Sequence, residues 1–334
     1  MALQEENSSL KAKNFGKAEA QTADSILNRI RQSGFLRPNN SRRQDRQFVP
    51  VPVVESPSAN YYNPPAADAD YQSVLTYATD QGYVLPSQTV QELGSALVTT
   101  LKTEGVWDKL DIFYMFATDG DEDFASINWK NTSSYAVDRI NSPSFIPSTG
   151  FAGNGTNAYL NTNWIPASGS NFSQSFASHG CFVYYNTPNI HVSSQANIGF
   201  HGHISVSCVY NILNIYSTYY GNFFFGYYVN TSGAANYEYK RGVIAPRFLL
   251  ANVTASTLQP YDNANSTFRA LATASVTTST LPTSSVVIMQ RGINGSNWYT
   301  PSDVFIQADF WGSYLTEAEA TTLYTSLNTY LSNI

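Results

Sequence analysis

The first 67 residues constrain this chain most, because they carry too little apolar surface to fold by themselves. The run Asn39-Asn40-Ser41-Arg42-Arg43-Gln44-Asp45-Arg46-Gln47 leads into Pro50, Pro52 and Pro57. Such a segment cannot bury enough apolar area to offset the entropy of ordering it. Residues 8–34 scatter Leu10, Phe15, Ile26, Leu27 and Ile30 ahead of Gly34 and read as an irregular helix. Residues 35–66, with six prolines, read as an extended strap. Its apolar residues Phe48, Val51, Val53 and Val54 are the expected anchors in a groove of a neighbouring protein, with Arg42, Arg43 and Arg46 assisting through charge. The expected organisation is therefore an anchoring arm, 1–67, extended and partly helical, followed by one domain, 68–334.

Charge follows the same division. Residues 1–50 hold nine Lys or Arg against five Asp or Glu, whereas the rest of the chain holds nine against nineteen. The arm's basic residues are interleaved with acids and form no dense block, so nucleic acid is not an expected partner. The start Met1-Ala2-Leu3-Gln4-Glu5-Glu6 has no apolar export segment, and no run approaches the roughly 18 apolar residues of a membrane span. These features lead to the expectation of synthesis in a cytoplasm. Cys181 and Cys208 fall in expected strands and could pair or stay as buried thiols; a chain without an export signal favours thiols.

Over the whole chain only 13% of residues are charged, while 23 Tyr and 19 Phe accompany abundant Ser, Thr and Asn. That is the balance of an aromatic-rich β protein. Two helices come first. Tyr71, Val74, Leu75 and Ala78 share a face ahead of Gly82; Val90, Leu93, Leu97, Val98 and Leu101 share another, with Thr89 and Glu92 at capping-box spacing and Gly105 as the stop. Strands are expected at 110–117, 126–129, 178–185, 198–210, 223–229, 247–253, 284–291 and 304–311. Runs of this kind without intervening helices predict a two-sheet sandwich, best described as a jelly roll. A last helix follows, with Thr316 and Glu319 as its capping box and Leu323, Leu327 and either Tyr324 or Tyr330 on its buried side.

Three segments together carry a resemblance. Gly105 to Tyr114 (GVWDKLDIFY), Phe151 to Thr162 (FAGNGTNAYLNT) and Trp311 to Ala320 (WGSYLTEAEA) resemble concanavalin A-like, or laminin-G-like, jelly-roll domains of tailed-phage and prophage virion structural proteins. The resemblance covers about residues 70–334 and leaves out the arm. It implies a mainly β, concanavalin A-like sandwich with two short helices before it and one after.

The candidate chemistry is sparse. A glycosidase needs two carboxylates facing one cleft about 5 Å apart or more, and no strand here alternates acids in that way; Glu238 and Asp309 stand apart. There is no Gly-x-Ser-x-Gly elbow, and His179-Gly180-Cys181 lacks a partner motif. The expectation is a protein without enzymatic activity. Asp119, Asp121 and Asp123, with Glu122, supply enough hard oxygen for Ca²⁺, but the loop lacks the EF-hand register and closing Glu and reads as a solvated acidic turn, so no cofactor is expected. His201 and His203 share the spacing of a strand face, with no third ligand near in sequence. The clusters 216–220 and 223–228 offer the expected binding surface, in particular Tyr219, Tyr220, Tyr227 and Tyr228, whose rings could stack on a sugar. Core packing or a subunit interface would use the same aromatics.

The leading expectation is a virion structural protein of a tailed phage, anchored by its arm to capsid or tail and displaying the jelly roll as a decoration or fibre module. The alternative is a glycan- or receptor-binding, lectin-like head of a fibre. Expected partners are other virion proteins, further copies of the chain and a surface glycan; the expected location is the virion, assembled in the host cytoplasm.

Overall fold

The computed structural model describes residues 67–334 except 155–156, 186–196, 200, 203–209, 218–221, 232–235, 242–246, 264–266, 276–280, 282–284, 290, 294–295 and 299–303; for 185–247 and 290–304 it describes backbone pairing alone. Residues 1–66, with all seven anchor residues, and Tyr219, Tyr220, His203 and Cys208, lie outside the described residues. Among the described residues, no helix is long and apolar enough to cross a membrane.

Helix α1 (Ala69–Gln81) begins where the Asp68 side chain accepts hydrogen bonds from the Asp70 and Tyr71 N–H groups, and it ends at Gly82, whose φ of 76° closes the left-handed turn. There the Gly82 N–H donates to Thr79 O and the Tyr83 N–H to Ala78 O, a close that a side chain at position 82 would strain. Helix α2 (Gln88–Thr103) is capped by Ser87, two residues before the Thr89 that sequence spacing suggests. Ser87 wins because its Oγ reaches the Val90 N–H and its own N–H donates to Asp119. The two helices approach so closely that a Cβ on Gly94 would overlap the Tyr71 ring. Lys102 ties their ends together through Asp68 at 3.1 Å and Asp70 at 3.2 Å.

The strands in chain order are β1 (Leu110–Met115), β2 (Asp138–Ile140), β3 (Ser144–Ile146), β4 (Gly150–Ala152), β5 (Tyr159–Asn161), β6 (Ala177–Tyr185), β7 (Asn197–Gly199), β8 (His201–Gly202), β9 (Tyr210–Ser217) and β10 (Asn222–Thr231). They continue with β11 (Asn236–Arg241), β12 (Arg247–Val253), β13 (Thr257–Asp262), β14 (Arg269–Ala270), β15 (Ala274–Ser275), β16 (Val287–Ile288), β17 (Arg291–Ile293), β18 (Ser296–Trp298) and β19 (Val304–Gly312). A short helix, α3 (Glu122–Ala125), precedes β2, and α4 (Glu317–Leu331) ends the chain. The largest sheet runs β14-β13-β12-β6-β19-β4-β3, with β1 also on β19 and β15 also on β13; two four-stranded sheets run β11-β10-β9-β7 and β2-β5-β16-β8. The first and last strands pair antiparallel, Ile112 opposite Trp311 and Phe113 opposite Phe310.

The mainly β, antiparallel architecture with a C-terminal helix agrees with the sequence reading, but the helices do more than flank a sandwich. Alternation along β6 and β19 divides the large sheet into two apolar faces. Phe182, Phe248, Leu250, Phe310 and Phe113 pack in one cluster with Leu97, Val98 and Leu101 of α2 and Leu323, Leu327 and Tyr330 of α4. Cys181, Val183, Leu249, Ala251, Ile112 and Trp311 pack in another with Leu160, Trp164, Phe172 and Ile288. The large sheet is thus covered by helices on one side and by β structure and loops on the other. Residues 126–129, expected as a strand, form turns instead: buried Asn128 accepts from the Phe113 and Lys130 N–H groups and bends the chain there. The expected strand 284–291 is interrupted at Met289, whose φ is 68°. The capping box of α4 is as expected: Thr316 Oγ1 accepts from the Glu319 N–H, and the Glu319 carboxylate accepts from the Thr316 N–H.

Candidate functional site

One cleft, of about 390 Å³, is closed by three chain segments that the local chemistry holds together; Tyr77, Tyr83, Asp123, Val137, Asp138 and Arg139 line it. Tyr77 lies in the last turns of α1, and the left-handed turn at Gly82 brings Tyr83 back beside it, ring centroids 6.3 Å apart and nearly perpendicular. Asp121 then fixes the second wall. Its Oδ1 accepts from the Phe124 N–H at 2.8 Å as the N-cap of α3, and its Oδ2 accepts from the Val84 N–H at 2.7 Å. The third wall arrives where the Val137 N–H donates to Ser126 O, placing β2 alongside α3.

The polar groups converge here. Arg139 Nη2 donates to Asp123 Oδ1 at 2.7 Å and stands 3.6 Å from Glu122, while its Nη1 is buried without a hydrogen-bond partner among the described residues. Asp138 is exposed and accepts from Asn163 Nδ2 at 2.9 Å. Burial pushes the Tyr83 phenol above its ordinary pKa, and the neighbouring Tyr77 and the charge of Asp123 push it further, so Tyr83 stays a neutral hydroxyl. The cleft therefore offers two aromatic rings, a guanidinium held by Asp123 and carboxylate acceptors. That is the set that binds a hydroxylated ring: apolar faces for C–H groups, and donors and acceptors for hydroxyls.

In the acidic loop, Asp119 accepts from the Ser87 N–H, Asp121 caps α3 and holds Val84, and Asp123 pairs with Arg139, so the three carboxylates serve different protein partners. Among the described residues no three His, Cys, Asp or Glu side chains gather as metal ligands. Of the expected binding surface, Tyr227 and Tyr228 lie in β10, Tyr227 paired with Leu213 and Tyr228 with Ile212.

His179 has partners that its sequence neighbourhood does not reveal. Its ring stacks on Trp311 at 3.6 Å, its Nε2 is 3.7 Å from Asp309 Oδ2, and Cys181 faces Asp309 across the β6–β19 ladder. All are fully buried, and Trp311 Nε1 donates to Asp309 Oδ1. Burial, and then the charge of Asp309, pushes the Cys181 thiol well above its usual range, which keeps it a thiol and not a nucleophilic thiolate. This cluster organises the core.

No protein-family model matches the chain, and no curated protein does. Solved structures show a distant likeness. Trypanosoma rangeli sialidase in complex with sialic acid is similar at 14% identity and a TM-score of 0.47, over 72% of this chain and 39% of the sialidase. The binding domain of botulinum neurotoxin serotype D is similar at 10% identity and a TM-score of 0.44, over 67% and 52%. The Ruminococcus gnavus IT-sialidase CBM40 bound to alpha2,3 sialyllactose follows at 12% and 0.31, over 46% and 82%. The chain spans about two-fifths of the length of the sialidases it resembles. The expectation of a protein without enzymatic activity is corrected by these neighbours, since the sialidases among them are enzymes. At this distance they assign no reaction to the chain either.

Proposed function

We propose that residues 68–334 form a glycan-binding head, presented on a phage virion by the arm. The cleft carries this reading: Tyr77 and Tyr83 offer ring faces, and Arg139, Asp123 and Asp138 offer the polar groups that fix a sugar's orientation. The concanavalin A-like jelly roll of tailed-phage virion proteins is part of the proposal. Two of the segments that carry that resemblance meet in space, because β1 of the first pairs with the end of β19 in the third. The basic, proline-punctuated arm supports attachment to virion proteins or to further copies of the chain. The test is a glycan array probed with the full chain and with Tyr83→Ala. Saccharide binding that the variant loses supports the proposal; no binding, or binding unchanged in the variant, overturns it.

A further inference from the structure

We infer, resting on the glycan-binding reading, that the cleft takes an uncharged sugar and rejects glycans that end in a carboxylate, such as sialic acid.

Around the cleft, Asp123, Asp138 and Glu122 stand against a single cation, Arg139, and that guanidinium is already engaged by Asp123 at 2.7 Å with Glu122 at 3.6 Å. An arriving carboxylate would face the surplus negative charge, because Arg139 Nη2 is engaged by Asp123 and its Nη1 is buried away from the opening. A hydroxyl suits the same site, because its proton is donated to Asp138 or Asp123. The exposed position of Asp138 at the mouth means that a ligand meets this charge on entry. The rings of Tyr77 and Tyr83 contribute the apolar contact that an uncharged pyranose needs and that favours no charge type.

Calorimetric titration of the full chain with neutral oligosaccharides, with their sialylated counterparts and with an amino-sugar oligosaccharide reads the selectivity directly. The expected result is binding of the neutral series and at least tenfold weaker binding of the sialylated series. Asp138→Asn is expected to weaken the neutral series by about tenfold, as loss of one charge-assisted hydrogen bond does, and to narrow the gap to the sialylated series. Sialylated binding equal to or tighter than neutral binding, a preference for the amino sugar over the neutral series, or an unchanged gap in Asp138→Asn overturns the inference while leaving glycan binding intact. Binding of no saccharide overturns both readings together.

Discussion

Arg139 of β2 reaches Asp123 of α3 at 2.7 Å, and this contact, with the Val137 N–H to Ser126 O bond, joins β2 to α3 at the cleft. Both side chains keep contact with solvent, 25% and 47% exposed, so the pair contributes about 0.2–1 kcal/mol to stability. Arg139→Gln is therefore expected to move Tm only slightly while weakening saccharide binding by about tenfold. A large fall in Tm would show that the pair serves the fold instead of the site.

Gly94 lets α2 lie against α1. A methyl group there would enter the ring of Tyr71, which is fully buried and also packs on Trp129 at 4.9 Å. Gly94→Ala raises helix propensity but overpacks this contact, and the second effect is the larger, at about 1–3 kcal/mol of destabilisation. Urea unfolding checks it; a variant as stable as the parent would mean that the helices separate more easily than the packing implies.

Acid sensitivity should come partly from Glu319. Burial alone would raise its carboxyl, but hydrogen bonds from Lys109 and Thr316 outweigh it and hold the group below its ordinary 4.5. A carboxyl lowered by folding contributes stability that is complete above about pH 4.5 and is lost as pH falls through the folded value. Glu319→Gln is expected to cost about 1 kcal/mol at pH 7 and to flatten the loss of stability below pH 4.5. Parallel curves for parent and variant in that range would contradict this assignment.

Much of the helical part was legible in the sequence because caps and stripes are local. Thr316 with Glu319, the stop at Gly82 and the face Tyr71, Val74, Leu75 and Ala78 all follow from spacing alone. The cleft was not legible, because its residues come from segments far apart in sequence whose meeting depends on Asp121 reaching the Val84 N–H, 37 positions away. One signal was available: Tyr77 is an aromatic residue off the buried stripe of α1. Asp309 looked isolated because its neighbours His179 and Cys181 lie on the adjacent strand.

The acidic loop gives a prediction about cations. Because Asp121 caps α3 and also holds Val84, Asp121→Ala is expected to destabilise the protein by about 1–2 kcal/mol with or without Ca²⁺. Melting curves of parent and variant, each with millimolar Ca²⁺ and with chelator, check it. An upward shift of the parent's Tm on adding Ca²⁺, absent in the variant, would mean that the loop binds the ion.

The most direct test of the central claim is a crystal structure of the full chain with a neutral oligosaccharide bound. The account predicts a sugar ring against Tyr77 or Tyr83, with hydroxyls on Arg139 and Asp138. A saccharide seated elsewhere, such as on the sheet formed by β9, β10 and β11, with the cleft empty, would contradict it.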